Sequence, residues 1–280
     1  MARKPLSSYH PILYKISVFL RRSWRQCLWY CDGKHYAKHQ KSELLPYRVK
    51  KHQSVLLKKL GESDMQLQRN KVTNLKIAIQ TIDGLIIKPG ETFSFCRRVG
   101  KPTEKRGFLE GMEISFGKPR AGIGGGICQI SNLIHWLVIH SPLTVTERYH
   151  HSYDPFPDDG RVLPFGSGAT VFYNYRDYQF KNNTNHTFQI RLWFSEKCLE
   201  GELRCSDDLP YRYHVIEENH AFIRETNGMF FRRNEIWRTC NEKGQIGREL
   251  SRELVTKNYA RVAYVPQGFE EQGFEEQADK

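Results

Sequence analysis

Three features of the sequence predict an α+β fold, with helices packed on a mainly antiparallel sheet and a small β-rich unit after it. Ile127, Ile130, Ile134 and Leu137 or Val138 recur with helical spacing in a segment that Pro142 ends. Phe188, Ile190, Leu192 and Phe194 alternate with polar or exposed neighbours, the period of a half-solvated antiparallel strand. Short β-branched runs flank tight turns between these two. The apolar stripe of the helix has to be buried by something flat and half-apolar, which places it on the sheet.

A chain of 280 residues with 39% hydrophobic and 26% charged residues has an ordinary soluble composition and enough length for a real core. The net charge of +12 is unevenly placed: residues 1–60 hold 14 Lys and Arg against only Asp32 and Glu43, so the whole excess lies there. Four regions are expected: a basic helical stretch over 1–65, an α+β domain over 66–206, a β-rich module over 207–265, and a disordered acidic tail over 266–280.

In the first region Leu13, Ile16, Leu20, Trp24, Cys27, Leu28 and Cys31 recur with a helical period, with Lys15, Arg21, Arg22 and Arg25 between them. A basic amphipathic helix over about 12–31 can pack its stripe on the main domain with its charges in water, or lie on an anionic membrane surface. Nucleic acid is not an expected partner, because no nucleic-acid motif accompanies the charge. Lys15, Arg21 and Arg22 interrupt the apolar segment and no small-residue cleavage site follows, so it does not read as a signal peptide. Seven cysteines, an odd number without a Cys-x-x-Cys pair, argue against a disulfide framework or a zinc site. Reduced thiols, no metal or cofactor, and a cytoplasmic setting that extends to the inner membrane face are expected.

From Gln66 the spacing of Val72, Leu75, Ile79 and Ile82 predicts a helix closed at Asp83-Gly84. Leu85–Ile87 and Thr92–Cys96 read as strands around Lys88-Pro89-Gly90-Glu91, and 143–148 as another strand. Residues 153–168 read as a long loop, then Ala169–Tyr175, Tyr178–Lys181 and Phe188–Phe194 as strands. Beyond 207, strands are expected over Tyr211–Ile216, His220–Thr226, Met229–Thr239, Ile246–Thr256 and Asn258–Val265, with Asn227-Gly228 as a two-residue hairpin turn.

The chemistry centres on Gly124-Gly125-Gly126-Ile127-Cys128-Gln129-Ile130-Ser131. Three glycines mark a tight backbone, and Cys128 falls in the first turn of the following helix, where the backbone dipole favours a thiolate. Cys128, Ser131, Asn132 and His135 share the face opposite the apolar stripe. Two readings of this pattern stand side by side: a reactive cysteine, or a small residue packed under a glycine turn that lets chain segments pass closely.

NLKIAIQTIDGLIIKPGETFSF over 74–95, Gly107, GGGICQIS over 124–131, Glu147-Arg148 with His151-Ser152, and Ala169-Thr170-Val171 resemble, in order and over about 66–206, the successive motifs of the VanW family. The resemblance implies a bacterial protein of the glycopeptide-antibiotic response or cell envelope, and it carries no established reaction. Its shared polar residues fall on Glu91, Ser94, Cys128, Gln129, Glu147, Arg148, His151 and Ser152. Many members have a membrane anchor, a Ser or Thr pair where this chain has Ser131-Asn132, and an aspartate where it has Gly168. An enzyme of this kind would need another orienting carboxylate, such as Asp154 or Glu147.

Two functional classes follow. In one, Cys128 attacks a carbonyl, His151 takes its proton, Gln129 and Glu147 assist, and the glycine-turn N–H groups hold the oxyanion, with peptidoglycan precursors as the substrate class implied by resemblance. In the other, an accessory module holds an anionic small molecule or peptide through Gly124, Gly125, Gly126, Ser131, Arg148 and Ser152 at the helix N-terminus. A thiol pKa below the free value is expected of the first.

Overall fold

The computed structural model describes residues 10–57, 65–115, 118–150, 153–154, 162–244 and 248–269. In chain order its elements are α1 (Pro11–Cys31), β1 (Tyr47–Val55), α2 (Met65–Ile79), β2 (Leu85–Ile87), β3 (Thr92–Ser94), α3 (Phe95–Val99), β4 (Glu110–Ser115), β5 (Lys118–Ile123), α4 (Cys128–Val138), β6 (Thr144–Glu147), β7 (Tyr153–Asp154), β8 (Gln179–Lys181), β9 (Phe188–Phe194), β10 (Cys198–Cys205), β11 (Tyr211–Arg224), β12 (Phe230–Glu242) and β13 (Glu249–Val262).

Helices α2 and α4 close the core over a four-stranded sheet ordered β1-β10-β9-β2 and a three-stranded sheet ordered β3-β8-β6. The strand pairs within both sheets are antiparallel, as expected. The apolar stripe of α4 lands on β10 at Gly201, where an added Cβ would meet Leu133 and Leu137 at 3.0 and 3.2 Å. Leu75, Phe93, Phe95, Ile130, Ile134, Phe180 and Phe188, all buried, fill the space between the layers.

Several elements depart from the sequence reading. β1 lies in the stretch expected to be helical, and it forms the edge of the main sheet against β10. The β4–β5 hairpin was not anticipated either. Thr92–Cys96 splits at Ser94, whose hydroxyl accepts the Arg97 N–H and starts α3. Over 169–175 there is no strand: Phe172 pairs with Arg176 around a turn in which Asn174 takes a left-handed φ of 53°.

The C-terminal unit is the expected meander, β11-β12-β13, with β7 added in parallel beside β13. Its strands are longer than expected. The two segments 211–216 and 220–226 are one strand bent at a bulge where Asn219 has φ 54°. Likewise β13 runs unbroken past residue 256. The Asn227-Gly228 turn is a three-residue loop: the Glu225 N–H bonds the Met229 carbonyl, and Gly228 at φ 76° bonds back to Glu225. Most of the expected tail, 270–280, lies outside the described residues.

Helix α1 is where it was expected but faces the other way. Arg25 pairs with Glu147, Arg21 bonds the Tyr175 hydroxyl at 3.2 Å, and Arg22 lies 5.7 Å over the Phe172 ring. The basic face is therefore the docked one, because planar guanidinium groups find aromatic rings and a carboxylate on the 172–176 turn and β6. The apolar stripe, Ile12, Leu13, Ile16, Phe19, Leu20 and Trp24, points away and is 42–68% exposed. Cys27 and Cys31, on the same stripe, are exposed as well. Among the described residues no helix is long and apolar enough to cross a membrane.

Candidate functional site

The glycine turn is built for close packing. Gly125 lies against the backbone of Gly111, so closely that a Cβ on it would come within 2.1 Å of the Gly111 oxygen. Gly124, at φ +80°, abuts Pro102, and Gly126, at φ +90°, abuts the Lys71 side chain. The N–H groups of Gly124 and Gly125 already bond the carbonyls of Leu109 and Gly122. Buried Asn74 fastens the turn from beneath: its amide donates to Leu109 and Gly125 oxygens, both at 3.0 Å, and its oxygen accepts the Leu109 N–H at 2.8 Å.

Cys128 opens α4, with its thiol 3.5 Å from the Val171 carbonyl. The residue is half-buried, and that burial pushes the thiol pKa up despite the Val171 bond. That direction is opposite to the one expected of an activated nucleophile, and desolvation of the charged form is its leading cause.

The polar face of α4 is covered by the segment 166–171. Ser131, fully buried, donates to the Ala169 carbonyl at 2.6 Å, and the Asn132 side-chain oxygen accepts the Ala169 N–H at 2.7 Å. A Cβ at Gly168 would meet that same Asn132 oxygen at 2.6 Å. Asn132 and Gly168 are thus parts of one packing solution. Arg148 clamps the segment from its other side, donating to the carbonyls of Gly168 at 2.8 Å and of Gly166. Burial lowers the Arg148 pKa to about 10. His135, fully buried, meets the Tyr178 hydroxyl at 3.2 Å; burial, with Arg148 nearby, holds its pKa well below the usual value.

The remaining candidates are scattered. Gln129 donates to the Ser54 hydroxyl and the Val55 carbonyl, both at 2.9 Å, and so ties α4 to β1. Glu147 is engaged by Arg25. Glu91 closes its turn by accepting the Lys88 N–H at 2.8 Å, and Asp154 lies by Arg232 at 3.4 Å. His151 and Ser152 lie outside the described residues. The structure therefore brings Cys128, Ser131 and Arg148 around one segment, and turns Gln129 and Glu147 to other tasks.

Sequence reasoning missed Asp177, which falls between the strands expected over 169–175 and 178–181. Its buried carboxylate accepts from the Ser94 hydroxyl at 2.5 Å, the Cys96 and Tyr178 N–H groups at 2.8 Å each, and the Gln179 amide at 2.9 Å. Burial pushes its pKa up against those four donors. Also missed was a cleft of about 430 Å³ between β1 and the start of β11, with Lys50, His140 and Arg212 in its wall. His186, Cys205 and Asp207 form the one group of metal-ligating type among the described residues, their ligand atoms within 4.8 Å of one another. His186 and Asp207 already pair at 2.9 Å there.

A family model described as VanW like protein matches residues 70–204. Vancomycin B-type resistance protein VanW of Enterococcus faecalis is 30% identical over 269 residues, 94% of this chain and 95% of that protein. Uncharacterized protein YoaR of Bacillus subtilis is 33% identical over 121 residues, 42% of this chain and 37% of that protein. No solved structure matches.

Proposed function

The chain belongs to the VanW family, and on that premise we propose that it is an accessory protein of the response to glycopeptide antibiotics, working at the inner membrane surface and not as a cysteine-dependent enzyme. The relative in E. faecalis is a vancomycin B-type resistance protein, which supports the antibiotic response as the setting.

The outward stripe of α1 carries the reading. A helix that spends Arg22 and Arg25 on its own domain and leaves Ile12, Ile16, Leu20 and Trp24 in water has an unburied apolar face. At 3.6 residues per turn those residues, with Leu13 and Phe19, cover an arc of about 140°, broader than the narrow seam of a two-helix contact. The arc fits a helix lying in the plane of a lipid interface. The excess of positive charge in residues 1–60, with exposed Lys15 beside the stripe, selects an anionic surface.

The cysteine-dependent reading, acyl transfer or hydrolysis on peptidoglycan precursors, has less behind it. The Cys128 thiol is half-buried, shifted toward its protonated form and bonded to Val171. Retention of an anion by the glycine turn is likewise disfavoured, since two of its N–H groups are already bonded and Lys71 covers Gly126.

The test is sedimentation with vesicles of neutral or of mixed neutral and anionic phospholipid. Binding should require the anionic lipid, fall as salt rises, and be lost in Leu20→Glu and Trp24→Glu with unchanged melting temperature. Wild-type binding by those variants would refute the proposal. So would a concentration-dependent dimer that they abolish, because the stripe would then belong to a second copy.

A further inference from the structure

A cleft of about 430 Å³ opens where β1 passes the chain running from β10 into β11. Nothing in its lining belongs to the glycine turn or to α1, so its chemistry is independent of the membrane reading. Most of its charges are already matched. Arg48 lies 3.9 Å from Glu202, Lys51 bonds Glu200 at 2.9 Å, and Lys243 pairs with Asp208. The other acidic residue in the wall, Asp207, is held by His186 at 2.9 Å.

Lys50 and Arg212 are different. Both line the cleft, and neither has an acidic partner among the described residues. Lys50 is half-buried, and that burial lowers its pKa, the mark of an ammonium group that has lost water without gaining a counter-charge. A desolvated cation with no partner gains more from an arriving anion than a solvated one does.

The third component is His140. Its ring packs edge-on against that of Trp136 with centroids 4.6 Å apart, and its Nδ1 lies 2.7 Å from the Trp136 carbonyl, which can only accept. Nδ1 therefore carries the proton, and Nε2 is left as an acceptor. Burial, with Lys50 nearby, lowers the His140 pKa to about 4, so the ring stays neutral and keeps that acceptor at ordinary pH. Tyr47 and Tyr211 add aromatic surface to the same walls.

Two cations with no acidic partner among the described residues, beside a neutral acceptor, make a specific demand: an anion that also offers a hydrogen-bond donor close by. We propose that the cleft binds a carboxylate through Lys50 and Arg212 while His140 accepts the adjacent N–H, the chemistry of a peptide C-terminus or an N-acyl amino acid. Arg212 suits the planar carboxylate, and the tyrosines suit short side chains next to it.

Calorimetric titration of the full chain with N-acetyl-alanyl-alanine, with its C-terminal amide and with inorganic phosphate tests this. The free acid should bind saturably and the amide about tenfold more weakly or worse, the loss of one charge-assisted contact. Lys50→Met and Arg212→Met should each weaken the acid by about tenfold at unchanged melting temperature, whereas Trp24→Glu in α1 should leave it unaltered. Equal binding of acid and amide, phosphate binding as tightly as the acid, wild-type affinity in both variants, or no saturable binding of the acid would each overturn the proposal.

Discussion

Arg25 of α1 and Glu147 at the end of β6 face each other in a two-pronged ion pair, Nη1 to Oε2 and Nη2 to Oε1 both at 2.6 Å. Each side chain is only 17% exposed, and Glu147 also accepts the Asp177 N–H at 3.2 Å, so one carboxylate joins helix, strand and turn. Burial opposes the charged guanidinium, yet the bond to Glu147 more than offsets it and the Arg25 pKa is raised. Arg25→Ala strands the carboxylate, and a loss of about 2–3 kcal/mol is expected. Hydrogen exchange should then quicken through α1 and stay slow in β9 and β10. Unchanged exchange in α1 would mean that Arg21 and Arg22, with Arg97 donating to the Trp29 carbonyl at 2.8 Å, suffice to hold it.

Thiol mapping separates the two readings of Cys128. Cys27 and Cys31 are exposed and should be alkylated first at neutral pH. Cys128, half-buried, bonded to Val171 and shifted toward the thiol form, should react much more slowly than these two in the folded protein. Cys128→Ala removes the sulfur from beneath 166–171 and should cost about 1–2 kcal/mol in urea unfolding. Preferential labelling of Cys128 in the native protein would restore the nucleophile reading.

The elements legible in the sequence were those whose pattern is local. α4 announced itself by Ile127, Ile130 and Ile134, β9 by strict alternation, and the β11–β12 hairpin by Asn227-Gly228. β1 was not legible, because Tyr47–Val55 is a polar edge strand with little apolar alternation, and its partner, β10, lies far along the chain. A helical period reveals a stripe and says nothing of which face will dock. The orientation of α1 depended on Phe172, Tyr175 and Glu147, more than a hundred residues away. The surroundings of Cys128 were hidden for a related reason: the dipole argument is local, and the carbonyl of Val171 that the thiol meets comes from a loop whose glycines and prolines gave no hint of the place it occupies. The cleft had no signal at all, since Lys50, His140 and Arg212 belong to three separate stretches.

Acid should weaken the fold through its buried histidines. Burial, the leading cause in each case, lowers the pKa of His52, His135, His140 and His150. In the unfolded chain these rings take a proton below about pH 6.5. The folded protein resists it, until about 4 for His140. The unfolded state therefore binds more protons in that interval, so stability is fullest above it and declines as pH falls through it. Asp177 acts in the opposite sense, since its raised pKa makes the folded state the better proton acceptor, and it is present alike in the wild type and in the variant compared below. His140→Asn keeps a donor for the Trp136 carbonyl and has no proton to gain. Comparing urea unfolding at pH 7 and pH 5, this variant should lose about 2 kcal/mol less than the wild type. Equal losses would place the proton on His140 within the folded protein at pH 5, and Nε2 would then be a donor facing Lys50 in place of the acceptor on which the cleft's recognition of an N–H depends.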